Sequence, residues 1–125
     1  MGFDSLAQVM VYVSNPAASA RFWTERLGFV LREKVPGPDG TKAYVVSPRE
    51  GSETSLVLMD REAVARFSPE VSLQVPSLMF RCQNVAEERD RLRREGVTVG
   101  EVVDLGGTPT CNFSDPEGNY FGFCE

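Results

Sequence analysis

The side chains best suited to chemistry in this chain are three thiols, Cys82, Cys111 and Cys124, and they have no imidazole for company, because the sequence contains no histidine. A reactive cysteine needs a neighbour that lowers its pKa, and histidine is the usual one. Free cysteine is also among the most deeply buried residue types. The thiols therefore read as packing residues, Cys82 and Cys111 in or near the core and Cys124 on a terminal strand. The missing histidine also removes the commonest ligand for zinc, iron and nickel, and the commonest base near neutral pH. Three cysteines without close spacing form no disulfide framework, so the expected compartment is the reducing cytoplasm.

Arg81 is the sharpest single ligand candidate. It stands among apolar neighbours in SLMFRCQ, where a charge needs a partner. A substrate carboxylate or phosphate would satisfy it, and so would a nearby glutamate. Its surroundings depend on the strand that carries it, and that strand belongs to a longer pattern.

LAQVMVYVS reads as a strand with Val9, Val11 and Val13 on one face and Gln8, Met10 and Tyr12 on the other. Asn15-Pro16 opens a helix, AASARFWTERL, which Gly28 stops. FVLREKV, KAYVVSP and ETSLVLMD supply three more strands, with Pro36-Gly37-Pro38-Asp39-Gly40 as an unambiguous turn. Residues 61–73 read as a linker with one helical turn in REAVARF. The order then begins again. SLMFRCQ is a strand, Asn84 caps a charged helix VAEERDRLRRE, and Gly96 ends it. Val85, Ala86, Leu92 and the aliphatic stem of Arg89 form its expected inner edge. VTVGEVV, GTPTCNFS and NYFGFCE give three further strands.

This is an internal repeat. A shift of 69 residues lays Gln8-Val9-Met10-Val11 on Ser77-Leu78-Met79-Phe80 and Asn15 on Asn84; after a one-residue slip, Gly28-Phe29 falls on Gly96-Val97. Each half is strand-helix-strand-strand-strand. The expected fold is α+β, with paired βαβββ modules forming a curved mixed sheet, helices on its convex face and a cleft on its concave face. Module one spans 5–60 and module two 74–125. Parity places Val9, Val11, Val13, Leu78, Phe80 and Cys82 against the helices. The candidate ligand-binding residues in the cleft are then Gln8, Met10, Tyr12, Ser77, Met79 and Arg81, joined by Thr110 and Asn112 from the seventh strand. Methionines, an aromatic ring and a few hydrogen-bonding groups suit a small organic ligand. A subunit partner would cover the same set equally well.

The chain has 125 residues, the size of one domain, with 13 Lys plus Arg against 18 Asp plus Glu and a net charge of -5. The acidic balance argues against a nucleic-acid partner. No apolar run is long enough for a bilayer, and the start, MGFDSL, has neither a signal-peptide pattern nor the Ser or Thr that myristoylation wants at Leu6. No membrane partner is expected.

VYVSNPAASARFWTERLGF in the first half and FSDPEGNYFGF at the end resemble the opening and closing pieces of the glyoxalase/bleomycin-resistance/dioxygenase superfamily, the vicinal oxygen chelate fold. The likeness covers nearly the whole chain. It implies paired βαβββ modules around a U-shaped cleft and a homodimer. Metal-dependent members place ligands at positions that match Gln8, Val57, Ser77 and Gly122. Valine and glycine offer no side-chain donor, and an amide and a hydroxyl are poor substitutes for imidazole and carboxylate. The expectation is therefore no metal, no cofactor and no catalytic residue. The resemblance that remains is to the metal-free branch, whose bleomycin-resistance members sequester a drug. The resemblance thus implies a non-metal small-molecule-binding protein that sequesters an antibiotic or metabolite, and the chain's acidity would suit a cationic ligand. The alternative is a glyoxalase-like lyase or dioxygenase-type enzyme with unusual metal ligands or none. Metal-dependent glyoxalase and extradiol dioxygenase activity are disfavoured by the missing histidine.

Overall fold

Alternation in the first apolar stretch produces β1 (Gln8–Val13), and the chain turns at once into a helix because Asn15 caps it and Pro16 starts it. The Asn15 Oδ1 accepts from the Ala18 amide at 3.1 Å. The computed structural model describes residues 2–37 and 39–125. Of the expected turn at 36–40, only Pro38 falls outside the described residues.

The helix α1 (Pro16–Arg21) continues into one wide turn, Phe22–Arg26, in which the Leu27 amide reaches back five residues to the Phe22 carbonyl. Gly28 then takes a positive φ of 83° and ends it. β2 (Val30–Pro36), β3 (Lys42–Ser47) and β4 (Ser55–Asp60) follow. The sheet order is β1-β4-β3-β2, with β1 parallel to β4 and the other pairs antiparallel. α1 packs on β3 and β4. Trp23 is fully buried there, with the rings of Phe22 and Phe29 edge-on at 6.1 and 5.0 Å, over Val11, Val13, Val46 and Leu58. The helix α2 (Arg61–Phe67) is capped by the Asp60 carboxylate. It is two turns long, where the sequence suggests one.

A second compact unit begins at Pro76. It contains β5 (Met79–Arg81), α3 (Val85–Arg94), β6 (Thr98–Val99), β7 (Val103–Leu105), β8 (Thr108–Ser114) and β9 (Tyr120–Cys124). Its order is β5-β9-β8-β6, with β7 also on β8, and again the first strand is parallel to the last. Asn84 caps α3 through the Glu87 amide, and Gly96 closes it with a φ of 81°. Phe113 lies at the centre of the core, its ring 5.7 to 6.5 Å from those of Phe80, Phe121 and Phe123. Val85, Leu92 and Val97 complete it.

Two expectations are corrected. VTVGEVV is not one strand: Gly100 still gives its amide to the Asn112 carbonyl of β8, but from Val99 to Val103 the chain takes four steps against three on β8, and the extra residue separates β6 from β7. Ala86 is exposed rather than inward; α3 buries Val85 and Leu92, and the Arg89 stem lies beside them with its Nε on the Gly100 carbonyl. Among the described residues, no helix is long and apolar enough to cross a membrane.

Candidate functional site

In the first unit, β1 and β4 run in register with Gln8 beside Ser55, Met10 beside Val57 and Tyr12 beside Met59, and Val45 pairs with Val57 from the other side. Met10, Val57 and Val45 thus form a row across the sheet face that alternation turns away from Val11 and Val13. Both valines are buried at 6% exposure, and Met10 keeps 39%. Gln8 is exposed at the strand start. Tyr12 is buried, and its carbonyl accepts from the Arg61 guanidinium at 2.9 Å.

The second unit has the same row with different side chains. Met79 pairs with Gly122, and Gly122 pairs with Asn112. The next row is Arg81, Cys124 and Thr110. Ser77, Met79 and Asn112 gather with Leu78, Tyr120, Phe121 and Gly122 around one open groove of about 270 Å³. Arg81 and Thr110 are not part of that lining. Thr110 is buried, with its hydroxyl donating to the Val103 carbonyl at 2.9 Å. Arg81 is exposed and makes no ion pair among the described residues, so water meets the need that its apolar neighbours imply.

Gly122 is the notable member of the row. Its amide donates to the Leu78 carbonyl at 2.9 Å, and its φ is not in the left-handed region. A Cβ there would meet the Sδ and Cε of Met79 at 3.0 Å and the Oδ1 of Asn112 at 3.2 Å. The space a side chain would fill is already taken by those two residues. Tyr120, 62% exposed, stands on the same strand face and was missed by sequence reasoning. The signal was available, since Tyr120, Gly122 and Cys124 share a parity in NYFGFC.

None of this suits a divalent ion. Val57 and Gly122 bring no donor, and Met79 and Asn112 crowd the place where a carboxylate side chain at 122 would begin. Among the described residues, no three His, Cys, Asp or Glu side chains come together. The thiols are no better placed for catalysis. Burial pushes the Cys111 thiol up, with Arg89 working in the other direction, and burial and then Glu88 push up that of Cys82. The thiol of Cys111 points at the Gly100 carbonyl, 3.4 Å away.

A smaller pocket of about 120 Å³ lies beside α2, between Ala43, Met59, Ala63, Val64 and Phe67. At its edge Arg66 pairs with Asp39, whose carboxyl is held below the ordinary range by the Thr41 hydroxyl first, with smaller contributions from the Thr41 amide and Arg66. None of the expected site residues lies there.

Comparison with known proteins gives a consistent result. The family model described as Glyoxalase/Bleomycin resistance protein/Dioxygenase superfamily matches residues 5–123. The crystal structure of TnmS3, an antibiotic binding protein from Streptomyces sp. CB03234, is 30% identical, superposes with a TM-score of 0.82 and covers 99% of this chain and 97% of that one. A glyoxalase/bleomycin resistance protein from the same Streptomyces strain is 31% identical with a TM-score of 0.76, covering 97% and 100%. The uncharacterized protein YurT of Bacillus subtilis (strain 168) is 30% identical over 113 residues, 87% of this chain and 89% of its own.

Proposed function

Because the chain belongs to the glyoxalase/bleomycin resistance protein/dioxygenase superfamily, we propose that it is a small-molecule-binding protein that captures an organic ligand on the Met79–Gly122–Asn112 face without a metal. One observation carries this reading: an open groove lies over Gly122, the residue that the sequence resemblance matches to the family's last metal ligand and that has no side chain to donate. Capture needs only shape, apolar contact and a few polar handles, and the groove offers each. Metal-assisted isomerisation or ring cleavage needs donors that are not there. The likeness to an antibiotic binding protein supports sequestration of an antibiotic or metabolite as the biological role.

The groove also refines the expected ligand. The protein is acidic overall, yet Ser77, Leu78, Met79, Asn112, Tyr120, Phe121 and Gly122 carry no charge. Net charge therefore gives no reason to require a cation at this place.

We further propose that the protein is a cytoplasmic homodimer. Val103 and Leu105, outside the groove lining, are each more than half exposed, and the strand register puts them on one sheet face, apolar surface that a second copy of the chain would cover. Light scattering on purified protein tests the dimer. Metal analysis and native mass spectrometry of the same sample test the function. The expected result is no stoichiometric metal and recovery of a bound organic molecule. Tightly held stoichiometric metal that is lost in Gln8→Ala would overturn it.

A further inference from the structure

We infer that Gly122 and Met79 form a stoppered subsite, in which the methionine tip occupies the place of a ligand's uncharged apolar edge and leaves when that ligand binds. The inference rests on the small-molecule reading and adds which residue sets the shape of the site. Glycine inside a strand is unfavourable relative to alanine, so its presence calls for a reason. At Gly118 the reason is the backbone, with a φ of 84° in the turn before β9. At Gly122 the backbone makes no such demand, since its φ is one that any residue adopts. What Gly122 provides is room, and the Sδ and Cε of Met79 are in it.

The two partners differ in how firmly they are held. Gly122 is buried, with β5 on one side and β8 on the other and its amide bonded to Leu78. Met79 is 55% exposed. Its unbranched side chain has three rotatable bonds and a polarisable thioether, suited to giving way and repacking. The floor is fixed and its cover is loose. Ser77 and Asn112 supply the hydrogen-bonding groups of the lining, the Asn112 Oδ1 close beside Gly122, and Tyr120 adds an aromatic ring. The matching ligand chemistry is an uncharged molecule with a methyl, alkyl or ring C–H edge beside a carbonyl or hydroxyl.

Nile red, an uncharged apolar dye, tests the subsite by fluorescence titration, with the amide signals of Gly122 and Asn112 followed by NMR to place it. Met79→Ala is expected to bind the dye up to about tenfold more tightly, since no side chain has to be moved and reordered. Gly122→Leu is expected to abolish binding at this site. Gly122→Ala, whose folding asks that a flexible methionine tip shift and the Asn112 side chain give by a few tenths of an ångström, is expected to weaken it, and Met79→Ala/Gly122→Ala to return it to the wild-type value. Unchanged or weaker binding in Met79→Ala overturns the stopper. Dye bound with signals moving away from Gly122 overturns the subsite while leaving small-molecule binding intact. No binding to wild type or Met79→Ala overturns it as well, and native mass spectrometry then decides the broader reading by itself.

Discussion

Met10 and Met79 occupy equivalent places in two sheets wired the same way, but their neighbours in the row differ. Beside Met10 stand Val57 and Val45, both buried; beside Met79 stand Gly122 and Asn112 with an open groove. The opposite faces do not diverge in this manner. Val11, Val46 and Leu58 in one unit and Phe113, Phe121 and Phe123 in the other are all buried apolar groups. A face that packs on a helix must stay apolar and filled in both halves, because a cavity there destabilises the unit directly. The other face is under no such demand. It can be filled in one half and hollow in the other, and the hollow half is where a ligand can be held.

The comparison breaks most readily if the filled row is emptied. Val57→Gly removes three buried carbons and adds a strand glycine, so it is expected to cost about 3 kcal/mol of stability in chemical denaturation. A cost below about 1 kcal/mol would mean that the valine row is no more needed than the hollow one. Asp115→Ala acts on the turn of the second unit that leads into β9. The buried carboxylate accepts from the amides of Glu117 and Asn119 and from the Asn119 side chain at 2.8 to 3.0 Å, holding the turn into β9. Its loss is expected to cost about 2 kcal/mol, since three donors lose their acceptor. All three cysteines lie in that unit, so thiol labelling reports on it separately. In the native protein Cys111 should label slowly at pH 8, because burial raises its pKa and less of the reactive thiolate is present; the rate should climb as pH rises. Asp115→Ala should accelerate labelling of Cys111 at fixed pH.

Much of this contrast was legible in the sequence, and the limits have physical causes. The alternation of Gln8–Val13 and of 77–82 assigns faces correctly for Val11, Val13 and Phe80, because burial on one side of a strand imposes period two. Asn15, Asn84, Gly28 and Gly96 mark helix ends through local chemistry, and local chemistry is what a sequence displays. The break after Val99 was hidden, since the extra residue before Val103 shows only in the register against β8, another strand. Thr110 fits the parity of a lining residue, yet its hydroxyl is taken up by Val103 across the β7–β8 pair. The role of Gly122 was the hardest to see. A glycine kept for its dihedral angles and one kept for its space look alike until the neighbouring side chains are in place.

The two glycines at the entrance to and within β9 make that distinction measurable. Gly118→Ala forces a side chain into a φ of 84° and is expected to cost about 1 kcal/mol, even though nothing lies within 4 Å of the new Cβ. Gly122→Ala should show the reverse pattern. Its backbone conformation suits alanine, the unfolded chain loses some freedom, and the crowding falls on the flexible end of Met79 and, less tightly, on the side-chain oxygen of Asn112. These contributions oppose one another, so the net change in stability should stay within about 0.5 kcal/mol. The whole effect of that substitution should instead appear in ligand affinity, where a methyl group stands in the space the groove requires. A Gly122→Ala protein as destabilised as Gly118→Ala would show that residue 122 serves the strand rather than the site, and the contrast between the filled and hollow rows would then be one of packing alone.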